Sequence, residues 1–160
     1  MSNYLVRDAR EDTDADILAD FMTLQAMETE GKTLQHDIIA QGVRGLFNRP
    51  CCGKYYVACS SDKGNIVGMI MIHFEMNLSL GGMIHWINSV YVHPEHREKG
   101  VFSLMYEHIK MKAREQGPFV KCIRLYVDLE NKRAQEVYRR KGMRNIEEGF
   151  DFFENDFHFK

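Results

Sequence analysis

At 160 residues the chain is long enough for one domain with a buried core. Its 44% hydrophobic and 28% charged residues exclude a disordered or fibrous chain, and a formal net charge of −2 argues against bulk binding to nucleic acid. No apolar run approaches the ~20 residues of a membrane span, and the first residues, Met1 to Arg7, lack the apolar core of a signal peptide. The four cysteines, Cys51, Cys52, Cys59 and Cys122, show no C-x-x-C spacing, so the expectation is a cytoplasmic protein with reduced thiols and no membrane partner.

Tyr4 to Val6 reads as a short first strand. Thr13-Asp14-Ala15-Asp16 resembles a capping box with Asp in the usual Glu position. Ile17, Phe21, Leu24 and Glu28 follow at helical spacing, with Leu18 and Met22 beside them. A second helix carries Ile38, Ile39, Val43, Leu46 and Phe47 on one face and ends before Pro50. Tyr55 to Cys59, Ile66 to Phe74 and Met83 to Val92 are strands joined by short turns, hence antiparallel; the second, nearly all apolar, is expected to be buried on both faces. A helix from Gly100 carries Val101, Leu104, Met105, His108, Ile109 and Lys112 on a stripe and ends near Gly117-Pro118. Ile123 to Val127 is the next strand, and the strand–helix–strand order makes it parallel to Met83–Val92 with a right-handed crossover. Asn131 to Lys141 is a shorter helix terminated by Gly142, and Met143 to Phe159 suggests one or two closing strands. No linker or repeat interrupts this order, so residues 1–160 are expected to form a single α/β domain, a mixed and mostly antiparallel sheet with about four helices.

The segment from Asn88 to Phe102 carries the chemistry. A strand ends at His93-Pro94, Arg97 and Lys99 follow, and Gly100 opens a helix. Helix N-terminal N–H groups are unpaired and partly positive, a glycine admits a phosphate to them, and the basic side chains add full charge. The pattern is that of an anion cradle. The competing reading leaves Arg97 and Lys99 as solvated charges at a helix start.

Val90-Tyr91-Val92-His93-Pro94-Glu95-His96-Arg97-Glu98-Lys99-Gly100-Val101 resembles the strand and pyrophosphate loop, R/Q-x-x-G-x-G/A, of the GNAT superfamily of acetyl-CoA-dependent N-acetyltransferases. Leu125 to Met143 resembles that family's strand followed by N-x-x-A-x-x-x-Y-x-x-x-G-F/M. The resemblance implies a GNAT-like fold whose parallel strands splay to bind CoA. The pantetheine arm would lie between them, paired with backbone of Val90 and Val92 on either side of Tyr91 and bonded from the other side by Asn131. Arg97, Glu98, Lys99, Gly100, Val101 and Phe102 would supply pyrophosphate-binding amides. Phe102 departs from the family's small residue.

The same resemblance gives Tyr138 the part of general acid to the departing CoA thiolate; the bland reading is a core tyrosine on the Ala134–Val137–Tyr138 stripe. Many family members place a carboxylate base where this chain has Asn88, which cannot take a proton but can position a water that does. His85, Glu75 and Asp128 are other candidates, each more readily read as structural. His85 lies three residues before Asn88, so strict alternation puts it on the opposite face unless a bulge intervenes.

His93-x-x-His96 and the pair His73/His85 invite a metal reading, but no cysteine or carboxylate spacing completes a tetrahedral set, so no metal is expected. Of the acidic residues in the first third, Asp8, Glu11, Asp12, Asp14, Asp16 and Asp20 read as helix-start charge and solubility; Glu28 and Glu30 read equally as that or as a bias toward a cationic acceptor. The resulting expectation is direct acetyl transfer from acetyl-CoA to an amine acceptor, with a homodimer plausible from the family alone. A non-catalytic acyl-CoA sensor of the same fold is the alternative. An unrelated nucleotide-binding protein is disfavoured by the absence of G-x-x-x-x-G-K-[ST] and G-x-G-x-x-G.

Overall fold

The computed structural model describes residues 3–146. The chain divides into two compact units, Met1–Tyr126 and Val127–Lys160. The first holds strands β1 (Tyr4–Asp8), β2 (Gly53–Ser60), β3 (Ile66–Asn77), β4 (Gly82–Val92) and β5 (Val120–Leu125) and helices α1 (Glu11–Glu30), α2 (His36–Phe47) and α3 (Val101–Glu115). The second holds α4 (Lys132–Arg140). The strands form one sheet in the order β1-β2-β3-β4-β5. β1 to β4 are antiparallel neighbours and β5 runs parallel to β4, as strand–turn and strand–helix–strand connections require.

Helices cover both faces, which is why β3 is apolar almost throughout. Val67, Met69, Ile70 and Ile72 are all buried. On one face Ala15, Leu18, Ala19 and Phe21 of α1 and Val43 of α2 pack on Tyr55, Val57, Met69 and Tyr91. On the other, His108 of α3 lies edge-on to Tyr56 at 5.2 Å, and a Cβ placed on Gly68 would meet Met105 and Val101 at 3.4 Å. Leu18 is fully enclosed, and emptying such a site costs about 2–5 kcal/mol.

Several boundaries differ from the sequence reading. α1 begins at Glu11 with Arg10 as N-cap, so Thr13 lies inside the helix rather than capping it. The capping contact comes from Asp14, whose carboxylate accepts the Arg10 N–H at 2.7 Å. The buried face of α1 runs through Ala15, Leu18, Ala19 and Phe21, while Ile17 and Leu24 are exposed at its edges. On α2 only Val43 is fully buried, and Ile38 is exposed. β5 starts at Val120 and ends at Leu125, because its ladder with β4 stops at Ile87↔Leu125 and leaves Tyr126 and Val127 outside it.

In the second unit, α4 ends as expected at Gly142, with φ 82°. The Gly142 N–H donates to Arg139 C=O at 2.9 Å and the Met143 N–H to Tyr138 C=O at 3.1 Å, the paired bonds of a Schellman stop. The closing strands expected after Met143 fall largely outside the described residues.

Candidate active site

Two neighbours dictate the geometry of β4. Toward β3 the register pairs Met71 with Ser89 and Ile72 with Ile87, so Asn88 is an extra residue, a β-bulge. Toward β5 the ladder ends at Ile87. Asn88 therefore stands where the parallel pair parts, and it is exposed between buried Ile87 and Ser89.

Beyond the bulge the strand regains its alternation. The His93 N–H donates to Val67 C=O at 2.8 Å, so residues 93 and 91 direct their backbone groups toward β3. Val90 and Val92 direct theirs the opposite way, to the side where β5 pairing has ended. The Val92 carbonyl already has a partner there: Arg97 Nε donates to it at 2.8 Å.

The loop after β4 is built for close approach to backbone. Glu98 has φ 62°, the one non-glycine residue at positive φ among the described residues, and Gly100 has φ 81° as N-cap of α3. Alternating hands in successive residues turn N–H groups into one concavity, an anion nest. A Cβ on Gly100 would meet nothing within 4 Å, so the glycine is required by its φ and not by crowding. α3 has no side-chain cap, so its first turn presents the partly positive helix N-terminus at this loop. The Phe102 ring stacks on Tyr106 at 5.9 Å. Lys99 is exposed in the loop. The Arg97 side chain is committed within the protein, to Val92 and to Glu28 Oε2 at 2.7 Å.

The other candidate bases have local tasks. Glu75 accepts from Trp86 Nε1 at 2.8 Å and pairs across from Ile84, so four residue steps of strand, roughly 13 Å, separate it from Asn88. His85 is buried against Phe74, ring centroids 4.8 Å apart, and burial pushes its pKa down. Its Nε2 has no hydrogen-bond partner among the described residues. Asp128, in the second unit, accepts the Glu130 N–H at 2.8 Å in an Asx turn.

The acidic residues divide differently from the sequence reading. Asp14 is buried, not a solubility charge: Arg7 donates to both its oxygens, at 2.6 and 3.2 Å. Glu28 pairs with Arg97 and Glu30 with Lys32.

In the second unit, Asn131 is the N-cap of α4, its Oδ1 accepting the Ala134 N–H at 3.1 Å. Tyr138 lies on α4 half-buried, and burial raises its pKa.

Two groupings were not singled out in the sequence. His73, Trp86 and Tyr126 stack across neighbouring strands, with centroids 6.1 and 4.6 Å apart and planes 9° and 14° from parallel. Arg124 lies 5.8 Å from the Trp86 ring. Glu95 joins His93 and His96, with one donor atom of each within 4.8 Å of the others. The stack's signal was His73 and Trp86 at one rung of β3 and β4, with Tyr126 just past the end of β5; the second grouping depends on the turn's conformation.

Residues 16–143 match the model of the acetyltransferase (GNAT) family. The chain belongs to the GNAT family. Among solved structures, a possible acetyltransferase from Clostridium difficile 630 is 33% identical, with a TM-score of 0.87 and 96% of this chain and 99% of that chain covered. Aminoglycoside N-acetyltransferase AAC(6')-Iy in complex with CoA shares the fold at 12% identity, TM-score 0.79, with 98% and 97% covered. The ribosomal-protein-alanine N-acetyltransferase of Brucella melitensis biovar Abortus 2308 does so at 16% identity, TM-score 0.68, with 96% and 99% covered. Nothing among curated proteins matches the chain significantly. The four thiols of this GNAT chain are free, and no helix among its described residues is long and apolar enough to cross a membrane.

Proposed function

We propose that the protein moves an acetyl group from acetyl-CoA directly to a primary amine, on a small molecule or a protein. The observation that carries this reading is the parting of β4 from β5 at Ile87 and Leu125, with Val90 and Val92 turned into the opening and the Glu98–Gly100 nest immediately after. An amide-bearing arm pairs with such a strand as another strand would. The Arg97 N–H is spent on the Pro94 carbonyl at 3.2 Å, so the diphosphate meets the N–H groups of Glu98 to Phe102, in a turn that Gly100 permits through its φ of 81°. The family's CoA-bound member AAC(6')-Iy supports the donor through its fold.

Once the thioester carbonyl lies along β4, an N–H of Val90 or Val92 serves as oxyanion donor. An amine with a pKa near ~10.4 must lose a proton before it attacks. Asn88 holds a water that removes it, consistent with its exposure at the bulge. Tyr138 returns a proton to the leaving thiolate. The role comes from its motif, and its burial-raised pKa keeps the phenol protonated at neutral pH. Asn131 pairs with the arm while its Oδ1 caps α4.

Titration calorimetry with acetyl-CoA tests the donor half: binding with a raised melting temperature is expected. No heat and no protection would contradict both this reading and that of an acyl-CoA sensor.

A further inference from the structure

The turn between β4 and the phosphate loop gathers three side chains that acetyl transfer does not use. His93 follows β4, and Pro94–His96 forms one turn of 3-10 helix. In such a turn, side chains three residues apart eclipse. His93 and His96 therefore share an edge, ring centroids 6.1 Å apart, and Glu95 reaches them. A ring nitrogen from each histidine and a Glu95 oxygen all lie within 4.8 Å of one another.

Two further observations point to a ligand. His93 Nδ1 is buried and has no hydrogen-bond partner among the described residues. Such an orphan calls for a missing partner, an ion or a water. His96 Nδ1 lies 3.0 Å from the Tyr4 hydroxyl. With the proton on Nδ1 and the Tyr4 oxygen accepting, Nε2 carries the lone pair and the ring is held in place. Ligating histidines normally have an outer partner of this kind.

We propose that His93, Glu95 and His96 bind a divalent transition-metal ion of the zinc class, with water in the fourth position. Two imidazoles and a carboxylate suit Zn²⁺, whereas Mg²⁺ and Ca²⁺ require oxygen ligands. Donor atoms around a tetrahedral zinc lie about 3.4 Å apart. The cluster must contract by about 1.4 Å at most from its 4.8 Å span, within reach of small rotations of the three side chains.

Metal-free full-length protein titrated with Zn²⁺ in the calorimeter, and with Co²⁺ in the spectrophotometer, tests this. The expected result is one equivalent bound with micromolar affinity and no thiolate-to-cobalt charge-transfer band. Glu95→Gln and His96→Ala should each weaken binding at least tenfold, and Tyr4→Phe by about tenfold through loss of the outer partner. Glu95→Gln is near-isosteric on an exposed residue, so its effect does not depend on refolding the turn. Absence of one-equivalent binding, affinity unchanged in Glu95→Gln and His96→Ala, or loss of binding in the Cys51→Ser/Cys52→Ser protein would overturn the site.

Discussion

Arg97 Nη2 donates to Glu28 Oε2 at 2.7 Å, tying the last turn of α1 to the first residue of the phosphate loop. Arg97 Nε holds the Val92 carbonyl at the same time. The side chain thus fixes the loop against β4 and contributes its charge to the cradle only in part. The pair is more than a third exposed on both sides, so its direct effect on stability is below about 1 kcal/mol. Glu28→Gln should leave the melting temperature nearly unchanged and strengthen CoA binding, because an anion beside the diphosphate is removed. Arg97→Ala should weaken CoA binding roughly tenfold or more, the worth of a charged hydrogen bond. Calorimetric titration of the two variants reads both, and equal weakening in the two would show that Glu28 helps the cradle instead of opposing it.

Asp14 is a structural carboxylate. Burial alone would raise its pKa, but the Arg7 guanidinium, the Arg10 N–H and the Thr13 hydroxyl together hold it below the usual value. Asp14→Ala leaves Arg7 without its partner, and the expected loss is on the order of 3 kcal/mol. Because the folded pKa is depressed, the stabilisation is fully present above the unfolded pKa of about 3.9 and is lost as pH falls through the lower folded value. Urea melts of wild type and variant should therefore differ strongly at pH 7 and converge only well below pH 4.

His85 and His108 add a second acid response. Burial is the leading cause in both, and it lowers their pKa values from 6.5. The unfolded chain then binds more protons than the folded one below about pH 6.5, so stability falls as pH drops through that value. His85→Leu removes one such group together with a buried, unpartnered nitrogen. Its expected signature is a flatter melting temperature between pH 7 and pH 5, with little loss at pH 7. An unchanged slope would mean that His85 is not buried in its neutral form.

Tyr138→Phe separates chemistry from packing. The proposed acid role requires a fall of about 10²-fold or more in kcat with acetyl-CoA affinity nearly unchanged. Parallel losses of rate, affinity and melting temperature would make Tyr138 a packing residue of α4.

Much of this architecture was legible in the chain. The nearly continuous apolar run of β3 announced a strand covered on both faces, and Val101, Met105 and Ile109 at helical spacing are among the residues α3 buries, with Tyr106 and Ala113 beside them. Gly142 terminates α4 because the αL position after the helix admits it freely. What escaped depends on tertiary competition. Thr13 looked like a cap, but Asp14 takes the capping bond because Arg7, on β1, draws its carboxylate to the helix start. The bulge at Asn88 arises from the registry of β4 with β3, and the opening beside it from the early end of the ladder with β5. Neither leaves a mark on local composition. Glu95 could not be joined to His93 and His96 without knowing that Pro94–His96 winds as a 3-10 turn.

The measurement that bears most directly on the central claim is thiol release from acetyl-CoA across a panel of small amines, amino acids and peptides with free amino groups. The account predicts release proportional to protein concentration with at least one primary amine, accompanied by a product heavier by one acetyl group. Tight acetyl-CoA binding with silence toward every amine would contradict catalysis and leave a sensor in its place.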